Sequence, residues 1–169
     1  MKQNILGLLM AGSLLLCTML AYGIRPPGTI KAKQDGKMVY VDKEPISHMD
    51  WFAYLWHLQH VDSLSEAEIL LLMPDTNFYR TVEEFSMIRF DERRDAPVVG
   101  LNDVQKTSFA QWRSCYVQQK KKYANFIYEV ITADEYDELC SQNRKLKKID
   151  NEPQVLRCVV KNYSGAASR

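Results

Sequence analysis

The sequence predicts an α+β domain: a small mixed or antiparallel sheet flanked by two long helices. Strand-like and helix-like segments are interspersed, without the regular strand–helix–strand alternation that builds parallel sheets. Two helical stretches are long, and each opens with a capping residue answered three positions later. The strand-like segments are short and rich in Val, Ile and Tyr.

The N-terminus stands apart from the fold. Lys2 is the only charged residue before Arg25, and Ile5 to Leu20 is almost wholly apolar. Ala21-Tyr22-Gly23 then places small residues three positions and one position before Ile24. This is the pattern of a cleavable export signal over residues 1–23. The apolar run is short for a bilayer span, which needs roughly 20 residues. An uncleaved anchor is one alternative. A lipoprotein acylated at Cys17 is another, although Leu16 stands where a lipoprotein signal wants a small residue.

The mature domain is expected over residues 24–163, with a frayed tail over 164–169. Pro26-Pro27-Gly28 forms a stiff lead-in. Thr29 to Lys33 and Lys37 to Asp42 flank Gln34-Asp35-Gly36, and Asp-Gly favours the positive backbone angles of a tight hairpin turn. Ser47 with Asp50 opens a helix to about His60, with Trp51, Tyr54, Leu55 and Leu58 at helical spacing. Ser65 with Glu68 opens a second helix carrying Ile69 to Leu72 and stopping at Pro74. Residues 74–101 read as irregular, with a short helix near Thr81 to Phe85. Asn102 with Gln105 opens the second long helix, to about Lys121, whose inner side is Val104, Phe109, Trp112 and Tyr116. Asn125 to Ile131 reads as a strand, Thr132 with Glu135 caps a helix to about Gln142, and Gln154 to Asn162 is the last strand. Trp51 and Trp112 are both expected to be mostly buried.

Charge and chemistry narrow the function. The chain has 22 basic and 21 acidic residues, and losing Lys2 with the signal balances them. No footprint for nucleic acid follows. Lys120-Lys121-Lys122 and the run Arg144 to Lys148 lie near helix ends, where cations offset the helix dipole. A solvated face explains them better than a polyanion site. Once Cys17 is excluded, Cys115, Cys140 and Cys158 remain, so at most one disulfide forms. Cys140 and Cys158 are a pair that could tie the last helix to the last strand.

His57 and His60 lie one helical turn apart, with Asp50 or Asp62 as the only nearby further ligands, and read as a surface pair rather than a metal site. No thiol has a histidine placed beside it by a motif. The chain lacks a phosphate-cradling glycine loop, a G-x-S-x-G elbow and an H-E-x-x-H helix. Glu83-Glu84 and Asp91-Glu92 beside Arg89, Arg93 and Arg94 read as solvated salt bridges. No catalytic, cofactor-binding or metal-binding residue is assigned, and no cofactor is expected.

The segment Asp95-Ala96-Pro97-Val98-Val99-Gly100-Leu101-Asn102 resembles the "PVVGVSW" entry to a helix in the formylglycine-generating-enzyme, or sulfatase-modifying-factor, superfamily. Val104-Gln105, Phe109-Ala110 and Trp112-Arg113 resemble the helix that follows it there. Val41 to Ser47 is similar to the family's "EVTN" helix start, Tyr128 to Tyr136 to its "YRLPTEAEWE", and Leu156-Arg157-Cys158-Val159-Val160 to its closing "GFRCV" strand. Met73-Pro74-Asp75-Thr76 resembles the "LPDT" of gliding-motility lipoproteins that serve the type IX secretion machinery of Bacteroidetes. The weak motifs occur in the family's order over nearly the whole mature chain.

The family's "GNVWEW" and "RGGSW" motifs, metal positions and catalytic cysteine pair have no counterpart here. Only Glu138 to Gln154 fills that place, and Cys158 matches only a cysteine of the terminal strand. The resemblance therefore implies a trimmed fold of the C-type-lectin type without catalytic residues. The implied function is an exported, non-catalytic binding or assembly module of the periplasm or cell envelope. Its expected partner is an envelope or secretion protein, with membrane association only if the chain is lipidated or uncleaved. The alternatives are a carbohydrate- or peptide-binding module on the same scaffold, or a thiol-dependent enzyme.

Overall fold

The computed structural model describes residues 24–75, 77–79, 81–146 and 155–162. The signal, anchor and lipidation readings of residues 1–23, and the frayed tail over 164–169, lie outside the described residues. Among these residues no helix is long and apolar enough to cross a membrane.

Strands β1 (Thr29–Gln34) and β2 (Lys37–Asp42) form the expected hairpin. Asp35 and Gly36 both take positive φ at its turn, at 50° and 75°, as a two-residue turn matched to strand twist requires. Helices α1 (His48–His60) and α2 (Glu66–Leu71) start at complete capping boxes on Ser47 and Ser65. Helix α3 (Val82–Met87) lies where a short helix was expected, and two turns of 3-10 helix over Ile88–Phe90 and Glu92–Asp95 follow it within the segment read as irregular. Then come α4 (Asp103–Gln118), β3 (Phe126–Val130), α5 (Ala133–Gln142) and β4 (Cys158–Asn162). Helix α4 stops short of Lys121, and the last strand begins at Cys158 rather than near Gln154.

The sheet is antiparallel throughout, in the order β1-β2-β4-β3. Because side chains alternate across a strand, its two faces have separate cores. Ala32, Val39, Val41 and Val159 face α5, whose Tyr136 and Leu139 lie three positions apart on one helical side. Phe126, Tyr128, Cys158 and Val160 pack instead with Ala110 of α4. The expectation that the two long helices flank the sheet is corrected. Helix α4 lies on β3, the shorter α5 lies on β1 across the other face, and α1 packs on α4.

The α1–α4 seam is aromatic. Trp51 is fully buried and stacks on Phe109 at 5.5 Å, while Tyr54 meets both Phe109 and Trp112 edge-on or tilted, at 5.4 and 5.2 Å. The predicted inner side of α4 is only partly right. Val104 and Tyr116 are exposed, and Trp112 is partly buried. Helix α4 sits between two layers, so its buried set is Gln105, Phe109, Ala110 and Ser114. Small Ala110 and Ser114 let the helix approach the sheet closely. On α2 only Ile69 is buried, and Leu70 and Leu71 are exposed.

Side chains cover both outer strands. Ser114 Oγ accepts from the Tyr128 N–H at 2.9 Å, and Gln118 Nε2 donates to the Phe126 carbonyl at 2.9 Å. On β1, the Asn143 amide accepts from the Lys33 N–H at 2.9 Å and donates to the Lys33 carbonyl at 3.0 Å. Occupied edge groups of this kind block strand addition at those positions.

Candidate functional site

Among the described residues, two depressions have walls of aromatic or leucine side chains. The first is a cleft of about 420 Å³ where the lead-in, the end of β2, α1 and α4 meet. Pro27 and Gly28 form one side, and Phe109, Trp112 and Tyr116 form an aromatic wall. Lys43, Glu44, Asp50 and Arg113 supply charge around it.

Asp42 forms part of this lining although its side chain is buried. Arg113 Nη1 donates to Asp42 Oδ2 at 2.8 Å, and the Cys158 N–H donates to the same oxygen at 2.8 Å. Arg113 also donates to the Pro27 carbonyl at 3.3 Å and lies over the Tyr128 ring at 4.2 Å. Burial pushes the Asp42 carboxyl above the usual carboxylate range, and Arg113 draws it back only in part. Burial also opposes the charge on Arg113, but the Asp42 carboxylate outweighs it and holds the guanidinium firmly protonated. Asp42 Oδ1 has no hydrogen-bond partner, and neither has Trp112 Nε1. Both atoms are buried, although their residues line the cleft.

The second feature is a groove of about 650 Å³ between α2 and the start of α4. Leu70, Leu71, Met73 and Phe78 line it, with Asp75 and Lys106. Leu71 is 78% exposed, Leu70 50% and Phe78 48%. Gly100 fixes its floor. It has φ of 73°, and an added Cβ would come within 2.9 Å of the Phe78 ring and 3.2 Å of the Asp75 backbone. Gln105 holds the other rim, donating to the carbonyls of Leu71 at 3.3 Å and Met73 at 2.9 Å.

The cysteines are free and apart. Cys115 is exposed, Cys140 packs on the α5 side of the sheet, and Cys158 is buried on the α4 side. The sheet itself separates Cys140 from Cys158, so the considered disulfide does not form. Cys158 does lie beside a cation, but burial and the Asp42 charge push its thiol up to about 12. A thiol held protonated to that pH is a poor nucleophile.

The histidines are tied to structure. His57 packs edge-on against Trp112 and Tyr116, with its Nδ1 3.4 Å from Asp62. His60 stacks on Trp56 at 4.8 Å, and its Nδ1 meets the Trp56 carbonyl at 2.9 Å. No group of three or more His, Cys, Asp or Glu that could hold a metal ion occurs among the described residues. Buried His48 spans the Ala96 carbonyl at 2.9 Å and the Tyr79 hydroxyl at 2.8 Å, and burial lowers its pKa. It pins the loop before α4 to α1 as a neutral ring. The acidic pairs behave as surface salt bridges, with Arg93 meeting Asp91 at 2.7 Å and Glu84 at 3.3 Å.

The sequence reading missed the Asp42–Arg113 pair and both depressions. A lone Asp at the end of an apolar strand was the one available signal for the pair. Compared with known protein families, curated proteins and solved structures, the chain matches none.

Proposed function

We propose that this chain is an exported, non-catalytic assembly module of the periplasm or cell envelope. Its partner is a protein of the envelope or secretion machinery, of the type IX kind, and its fold is a trimmed version of the formylglycine-generating-enzyme type. The observation that carries the reading is the groove of Leu70, Leu71, Met73 and Phe78. Large apolar side chains stand exposed there on a surface made rigid by Gly100 and Gln105. Exposed apolar side chains gathered in one groove, bordered by Asp75 and Lys106, suit a protein contact. The raised thiol of Cys158 weighs against the thiol-enzyme alternative.

The test replaces Leu70 and Leu71 with serine and compares affinity capture from the native envelope with the parent. A defined envelope protein recovered by the parent and lost by the double variant is expected. Equal recovery by both would remove the groove from the interface.

The cleft favours a second reading, a module for a saccharide or peptide. An aromatic wall bordered by charged side chains is a common way to hold an amphipathic ligand. Trp112 fluorescence would be followed as oligosaccharides and short peptides are added to the parent and to Tyr116→Ala. A saturable change that weakens in the variant is expected of this reading. A flat titration with every ligand rules it out.

A further inference from the structure

A third depression, of about 410 Å³, lies where β1 meets the chain leaving α5. Lys31 and Lys33 line it from the strand, and Arg144 and Lys145 line it from the segment after the helix. Gln142, Asn143, Ala32 and Met38 complete the lining, which contains no carboxylate among the described residues. None of the four cations is in a salt bridge among the described residues. The nearest acidic residue in sequence is Asp35, in the hairpin turn and outside the lining.

The convergence is built by the fold, not by sequence proximity. Asn143 grips the Lys33 backbone at both its N–H and its carbonyl, across 110 positions of chain. Its Nδ2 also donates to the Leu139 carbonyl at 2.8 Å, which ties the grip to the last turn of α5. Arg144 and Lys145 are thereby fixed beside Lys31 and Lys33. Gathering four like charges with no carboxylate among the described lining residues raises the energy of the empty groove, and a bound anion relieves it. The chain as a whole is nearly neutral, with 22 basic and 21 acidic residues, so the groove is a local concentration of charge.

We propose that this groove binds a phosphate group carried on a small molecule or on a lipid headgroup. Arg144 supplies the planar fork that matches phosphate oxygens, and the three lysines supply point charges around it. The volume suits one phosphate or pyrophosphate with a small organic portion. Four cations in one depression do not form the extended basic stripe that a nucleic-acid duplex would need. This site is independent of the apolar groove, whichever partner that groove takes.

The test uses the full chain and a variant carrying Lys33→Gln, Arg144→Gln and Lys145→Gln. All three side chains are exposed, and the Asn143 grip uses only the Lys33 backbone. Circular dichroism melts establish that the variant folds. Should the triple variant fail to fold, Arg144→Gln alone takes its place. Inorganic pyrophosphate is titrated by calorimetry. Sedimentation is measured with phosphatidylcholine vesicles, with and without phosphatidic acid. Removing charge-assisted contacts should weaken pyrophosphate binding about tenfold or more, and added salt should weaken binding by the parent.

Pyrophosphate binding without any gain from phosphatidic acid supports the proposal and assigns a soluble ligand. Sedimentation that rises with phosphatidic acid in the parent but not in the variant supports it and assigns a headgroup. Equal behaviour of parent and variant in both measurements overturns it. So does a parent that responds to neither probe, or one that binds a DNA duplex that pyrophosphate does not displace.

Discussion

The Asp42 carboxylate and the Arg113 guanidinium meet at 2.8 Å although 71 positions separate them in the chain. Their contact joins the end of β2 to the middle of α4, and the Cys158 N–H adds β4 to the same oxygen. Three elements and the Pro27 carbonyl thus share one buried polar knot beneath the cleft.

Breaking that knot on one side should be costly. Asp42→Ala leaves the guanidinium and the Cys158 N–H without their acceptor, and should destabilise the fold by about 3–5 kcal/mol. Asp42→Leu with Arg113→Met removes both charges together and should cost less than the sum of the single changes. Urea unfolding of the four proteins checks this, and strict additivity would show that the pair is not coupled.

The tryptophans should separate. Trp51 is fully buried against Tyr54 and Phe109, so Trp51→Ala should cost about 3–5 kcal/mol. Trp112 is only partly buried and lines the cleft, so Trp112→Ala should cost less. Denaturation midpoints decide the order.

The thiols should label in order of exposure. Cys115 should react with a thiol reagent in the native state, Cys140 more slowly, and Cys158 only on unfolding. Mass spectrometry of timed labelling reads this directly. Changing all three to serine should leave partner binding intact if circular dichroism shows a folded protein. A folded triple variant that binds its partner yet loses biological activity would contradict the non-enzymatic reading.

Alkaline pH should destabilise the fold partly through Cys158. Its thiol is raised from 9.0 to about 12 by burial and by Asp42. Below pH 9 both folded and unfolded states keep the proton, and the full stability remains. Between pH 9 and 12 the unfolded chain releases it first, so stability falls as pH rises. Tyr128, raised from 10.0 to about 12 mainly by burial, adds to the loss over the upper part of that window. In Cys158→Ala the decline should be shallower, because the thiol no longer contributes. Unfolding midpoints measured across this range should reveal the difference in slope.

The helix starts were legible because they are written locally. Ser47, Ser65, Asn102 and Thr132 each cap a helix through a box closed within three residues, and each forms as read. The hairpin at Asp35-Gly36 was legible for the same reason, since the turn needs positive φ at adjacent residues. The α+β class followed from counting such signals. The burial of Trp51 followed from helical spacing, but spacing gave Val104 and Tyr116 the wrong side. A helix held between two layers shows two inner faces, and one period describes only one of them.

The candidate sites were not legible at all. The grip of Asn143 on Lys33, the pairing of Asp42 with Arg113 and the exposure of Leu71 beside Phe78 each depend on which elements become neighbours. Local structure could be read along the chain, because caps and turns close over three or four residues. Tertiary structure alone decided where charge and apolar surface converge, because those contacts join segments whose separation in the chain carries no energetic signal until the sheet and helices have packed.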